Sequence, residues 1–164
     1  MDSMQLREHI IRPALERIGL WSADAEELLM GTCAQESKLG QFHRQMGNGP
    51  ALGIFQMEPV THDDCWNNYL KYHAGLALKI KGLVYGEDVI GDTPVHPPAE
   101  ILVSNDRYAA AMARVKYLRA PAPIPSCQDL IGMDDYWKQH YNTPKGRGTV
   151  SEFCDHYVNY VVGV

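Results

Sequence analysis

The chain has 164 residues, of which 45% are hydrophobic and 21% charged, with a formal net charge of −5. That balance belongs to a folded chain, and the length suits one domain with its own core, residues 1–164. No basic tail or Lys/Arg stripe offers phosphate neutralisation, which argues against nucleic acid as a partner, and the apolar run Leu76–Val84, interrupted by Lys79 and Lys81, is too short for a membrane span.

The first residues, Met-Asp-Ser-Met-Gln-Leu-Arg-Glu, lack the basic-then-apolar pattern of a secretory signal. Leu6, Ile10, Ala14 and Ile18 then recur at helical spacing, and Pro13 must kink that helix or restart it. Ser22 is a good cap for a helix over residues 23–37, whose first turn carries Asp24, Glu26 and Glu27. Gly40, Gly47, Gly49, Pro50 and Gly53 make the following stretch a loop, and only residues 42–55 leave room for a short hairpin. A helix restarts at Pro59, a position that tolerates proline. Leu76–Leu83 reads as a short helix and Gly86 to Pro98 as an extended excursion, while residues 99–119 read as the longest helix. The Pro-rich run from Ala120 to Pro125 is a polyproline-type crossing. Helices over 127–140 and 149–161 close the chain, with Thr149 or Ser151 to cap the last. The predicted fold is mostly α, with a long loop or small hairpin between the helix bearing Glu36 and the next one. The four cysteines, at 33, 65, 127 and 154, form no Cys-x-x-Cys pair and are expected to be thiols.

Glu36 is the residue on which chemistry would turn. Leu29, Thr32 and Cys33 lie seven, four and three residues before it, so a helix places its carboxyl on an inward stripe. Lost hydration there favours the neutral acid, as a general acid working near neutral pH requires. The loop 39–57 that follows holds no Asp or Glu, so either Glu36 acts alone with help from the substrate, which suits one bearing an N-acetyl carbonyl, or a partner carboxylate comes from farther on. Glu58 and Asp63 are the candidates, although an acid before a helix start is also favoured electrostatically.

Four separated pieces line up in order: Glu36-Ser37, Gly53-Ile54-Phe55-Gln56-Met57, the stretch Ala113 to Leu118 containing Tyr117, and Tyr141-Asn142. This pattern resembles the lytic transglycosylase and goose-type lysozyme superfamily, whose signature is Glu-Ser, Gly-Leu-Met-Gln, a helix carrying Tyr-Leu, and Tyr-Asn-Ala-Gly. The chain departs from it with Gly-Ile-Phe-Gln-Met and with Tyr-Asn-Thr-Pro. The resemblance implies a lysozyme-like fold that cleaves peptidoglycan glycan strands between N-acetylmuramic acid and N-acetylglucosamine without a cofactor. Glu36 would be the acid and then the base, the muramic 6-hydroxyl attacking to leave a 1,6-anhydro end. Ser37 would sit near the N-acetyl group, Ile54, Phe55 and Met57 would shape the groove, and Gln56 would offer its amide to a sugar. Tyr141 would hydrogen-bond or orient Glu36 and Asn142 would fix the turn, with Tyr108 and Tyr117 as competitors for the tyrosine role. A chain of this kind without a signal would be phage-encoded, either virion-associated or held in the host cytoplasm until a partner holin releases it.

Alternatives follow from the same residues. If Glu58 or Asp63 reached across the groove, water could be activated and the enzyme would be a hydrolytic muramidase. A non-catalytic wall-binding or virion structural protein would have no chemical need for Glu36. His62-Asp63-Asp64-Cys65 and His73 lack a recognisable zinc spacing, so no metal is expected. The Lys145–Thr149 turn could meet an anion but reads better as a connector. Trp66 and Trp137 are expected in the core, and no Gly-x-Ser-x-Gly elbow supports a serine hydrolase.

Overall fold

Ser22 and Lys38 bracket the helix on which the rest is assembled. In the computed structural model, which describes residues 1–86, 96–142 and 149–163, α3 runs Ala23–Ser37. The Ser22 hydroxyl accepts from the Ala25 amide at 3.0 Å, and Lys38 ends the helix with φ 52°. Ala25, Leu28, Leu29, Met30, Thr32, Cys33 and Ala34 are all buried, so α3 is enclosed on nearly every side instead of carrying one apolar stripe. Gly31 lets a neighbour come close: a Cβ there would lie 2.4 Å from the Phe153 ring.

The N-terminal segment answers the question posed by Pro13. Helix α1 (Ser3–Leu6) passes through a π turn (Arg7–Ile11) into α2 (Arg12–Arg17) without leaving helical backbone. Proline cannot donate to the carbonyl four residues earlier. That carbonyl, on His9, instead accepts from Arg107 Nε at 2.9 Å. A partly buried ion network around Glu26 pins this segment to α3: Arg12 donates twice to Glu26 at 2.8 Å, Arg7 adds a bond at 2.9 Å, and Trp21 Nε1 another at 2.7 Å. These donors overcome the cost of burial and hold the Glu26 carboxyl down at about 2.

Helix α4 spans Pro59–Asn68, and a single 3₁₀ turn (Leu70–Tyr72) leads to α5 (Ala74–Tyr85). The predicted long helix over 99–119 is two: α6 (Ile101–Ser104) and α7 (Asp106–Leu118). Asn105 breaks it. Its side chain accepts from the Tyr108 amide at 2.9 Å and donates to the Leu83 carbonyl at 3.0 Å, capping α7 and tying it to α5. Helix α8 (Leu130–Trp137) runs into a π turn (Lys138–Asn142), and α9 (Val150–His156) into another (Tyr157–Val162). Thr149 caps α9 in a reciprocal box with Glu152. Most of the predicted 86–98 excursion and most of the Lys145–Thr149 turn lie outside the described residues.

Among the described residues the only extended pairing is two isolated antiparallel bridges, Arg44 with Leu52 and Leu52 with Met57. The stretch over 42–55 is therefore a loop folded on itself, the smallest form of the predicted hairpin. All four cysteines are free thiols. No helix of the described residues is long and apolar enough to cross a membrane.

Candidate functional site

Glu36 occupies the last turn of α3, where unpaired carbonyls make the helix end negative and disfavour a further anion. Its side chain is half-buried. Burial pushes the carboxyl up to about 7 against two opposing influences, a hydrogen bond from Trp137 Nε1 at 2.9 Å and the positive charge of Lys116. Near neutral pH the group can therefore both give and accept a proton.

The chain after α3 takes an unusual path. Lys38, Leu39 and Gly40 are all left-handed, with φ of 52°, 58° and 73°. This reversal returns Leu39 to the core and brings the segment from Gly53 to Met57 against the helix end. Ser37 makes the join. Its buried hydroxyl donates to the Ile54 carbonyl at 2.6 Å and accepts from the Gly40 amide at 2.8 Å. It does not face a groove, because it is fully enclosed among the Ile54 carbonyl, the Gly40 amide and Cys33, and the expected place beside an N-acetyl group is not the one observed.

The same correction applies to three neighbours. Ile54, Phe55 and Met57 are each at most 2% exposed and belong to the core, so they cannot shape a sugar surface directly. Gln56 alone of this segment is half-exposed. Its φ of 47° is strained for a residue with a side chain, and its Nε2 donates to the Gly53 carbonyl at 2.9 Å. Gly53 is required twice over, by its φ of 75° and by the Leu102 carbonyl, which a Cβ would meet at 2.3 Å.

Tyr141 does not bond Glu36. Its hydroxyl donates to the Phe55 carbonyl at 2.7 Å, holding the loop rather than the acid. The donor to Glu36 is Trp137, a fully buried core residue as expected, whose second role had no local signal in the sequence. Tyr117 is also buried and shares a hydrogen bond with Thr32 at 2.7 Å, and its ring stacks on that of Tyr136 at 5.5 Å and meets that of Tyr141 at a tilt, 5.1 Å away. Tyr108 lies elsewhere, hydrogen-bonded to His62 and Trp66. Asn142 accepts weakly from Lys138 Nζ at 3.5 Å within the π turn. Glu58 is exposed directly before α4, and its charge acts on Lys116 as that of Glu36 does. Asp63 is exposed and paired with His62 at 2.8 Å.

Lys116 is the residue that sequence reading passed over. Burial holds its amine below the ordinary lysine range. It donates to the Tyr141 carbonyl and stands 4.0 Å over the Tyr141 ring. It also floors a cleft of about 350 Å³ lined by Thr61 and Cys65 of α4, Arg119 of α7, and Gln139 and His140 of the π turn. Glu36 is not in that lining; Lys116 is the residue shared between the cleft and the acid's surroundings.

Compared with known protein families, curated proteins and solved structures, the chain matches none.

Proposed function

We propose that the chain cleaves peptidoglycan glycan strands as a lytic transglycosylase, with Glu36 as its single acid and base. The observation that carries this reading is a half-buried glutamate held at about 7, with a hydrogen-bond donor fixing one carboxyl oxygen. Protonated Glu36 gives its proton to the glycosidic oxygen as the C1–O bond breaks. The resulting carboxylate takes the proton of the 6-hydroxyl as O6 bonds to C1, so no water is consumed. The substrate's N-acetyl carbonyl suits the developing positive charge, which a single-carboxylate site cannot stabilise alone. The order of Glu36-Ser37, Gly53 to Met57, Tyr117 and Tyr141-Asn142 supports the lysozyme-like assignment, with most of these residues building the support of the acid.

Glu58 favours a second reading, a hydrolytic muramidase, because it and Glu36 both act on Lys116. Mass spectrometry of muropeptides released from purified walls separates the two. Anhydro products, one water lighter than reducing ends, are the expected result. Reducing ends would transfer the second role to Glu58, and no release from several wall types would favour a structural wall or virion protein.

Lys116→Met supplies a test of the acid's surroundings. Activity should fall as pH rises through about 7, where Glu36 loses its proton. Removing the cation that favours the carboxylate should move that alkaline limb to higher pH, read by turbidity clearing across a pH series. An unmoved limb would separate Lys116 from Glu36.

A further inference from the structure

We propose that His62, Asp63 and His96 form a binding site for one divalent transition-metal ion, with Zn²⁺ the best match. This site is distinct from Glu36. His62 and Asp63 are neighbours on α4, while His96 arrives from the segment leading to α6. One ligand atom from each residue lies within 4.8 Å of the others. The pairing of a local His-Asp with a distant His has no short spacing, which is why no zinc pattern is legible along the chain.

Both imidazoles are already oriented. His62 Nε2 is 2.7 Å from the Tyr108 hydroxyl, which is itself fixed by Trp66 Nε1 at 2.9 Å. That leaves His62 Nδ1 directed at Asp63 Oδ1, 2.8 Å away. His96 Nδ1 is 2.9 Å from the Pro97 carbonyl. A carbonyl only accepts, so this nitrogen carries the proton and Nε2 keeps its lone pair. The His96 ring also lies nearly parallel to Trp66, at 11° and 5.5 Å between centroids. Metal-binding histidines are held in this way, one nitrogen on an outer partner and the other directed at the ion.

Two imidazoles and one carboxylate favour Zn²⁺ or Co²⁺ over Ca²⁺ and Mg²⁺, which prefer all-oxygen shells. Ligand atoms around tetrahedral zinc stand about 3.3 Å apart. Contraction from 4.8 Å falls to the exposed Asp63 and half-buried His96, while fully buried His62 stays in place. Solvent access at Asp63 gives the ion a path in and a water as fourth ligand. The ion replaces the proton between His62 Nδ1 and Asp63. With Nδ1 now a ligand, the single proton of the neutral ring moves to Nε2 and is donated toward the Tyr108 hydroxyl, so His62 changes tautomer without releasing a proton. The bound ion clamps α4 to the approach to α6, whose Leu102 carbonyl backs Gly53.

The test is titration of chelator-stripped full-length chain with Zn²⁺ by calorimetry and with Co²⁺ by visible absorption. One equivalent should bind, with Co²⁺ giving tetrahedral-intensity ligand-field bands and Zn²⁺ raising the melting temperature. His96→Gln and Asp63→Asn, both at accessible positions, should keep native circular dichroism. Each should weaken binding by more than the ~10–100-fold that loss of an outer partner costs. Unchanged stoichiometry and affinity in His96→Gln would place the ion on other side chains and overturn the assignment, as would no uptake by the parent chain at micromolar metal.

Discussion

Glu36→Gln is expected to lower wall cleavage by at least ~100-fold while making the protein more stable above neutral pH. The loss of activity follows from removing the only proton donor in the proposed reaction. The gain in stability follows from the proton itself. The carboxyl moves from an ordinary 4.5 to about 7 on folding, so the folded chain holds its proton where the unfolded chain has released it. Burial therefore costs nothing below pH 4.5, costs progressively more as pH rises to 7, and is constant beyond. The full cost is about 3 kcal/mol, taking about 1.4 kcal/mol per pH unit. Glutamine avoids it and still accepts from Trp137 Nε1. Thermal melts should coincide for the two proteins at pH 4.5 and separate by ~9 °C, variant higher, near pH ~8. Retained lysis would sink the assignment, and equal melts at both pH values would mean that the carboxyl is not desolvated.

Gly53→Ala should be the most destabilising single-methyl change near the site. A side chain at φ 75° costs ~1–2 kcal/mol by itself. The added carbon would also stand 2.3 Å from the Leu102 carbonyl oxygen and 3.0 Å from its carbon, both backbone atoms that cannot swing aside. Either α6 moves away or the turn between Leu52 and Met57 opens. A loss of ~3 kcal/mol or more is expected, visible as a lower urea midpoint. Because Gln56 follows on the same turn and Ser37 is bonded to Ile54, cleavage should fall as well. A wild-type midpoint would show that the loop is not packed against α6 in solution.

Helix ends were the most legible part of this fold. Ser22 and Thr149 cap the helices expected of them, and Pro59 opens α4, because each signal acts within one turn. Asn105 carried an equally local signal, yet the alanine-rich helical pattern around it masked the break. Glu36 was legible as a candidate because its apolar neighbours follow helical spacing. Its surroundings were not. Trp137 and Lys116 come from other helices, and the same adjacency that drew attention to Ser37 and to Ile54, Phe55 and Met57 concealed that they face inward. A motif records which residues travel together in the chain and leaves open which side of the backbone each one occupies.

The central helix carries two carboxyls driven in opposite directions: Glu26 near its start, held at about 2, and Glu36 near its end, held at about 7. As acidity increases, Glu26 surrenders its contribution between the ordinary 4.5 and 2; as alkalinity increases, Glu36 exacts its own cost between 4.5 and 7. For this pair, then, only the neighbourhood of 4.5 leaves both without a penalty, and there Glu36 also holds its proton. One rod of fifteen residues thus links the acidity at which its own carboxyls cost least to the protonated form that the proposed reaction needs.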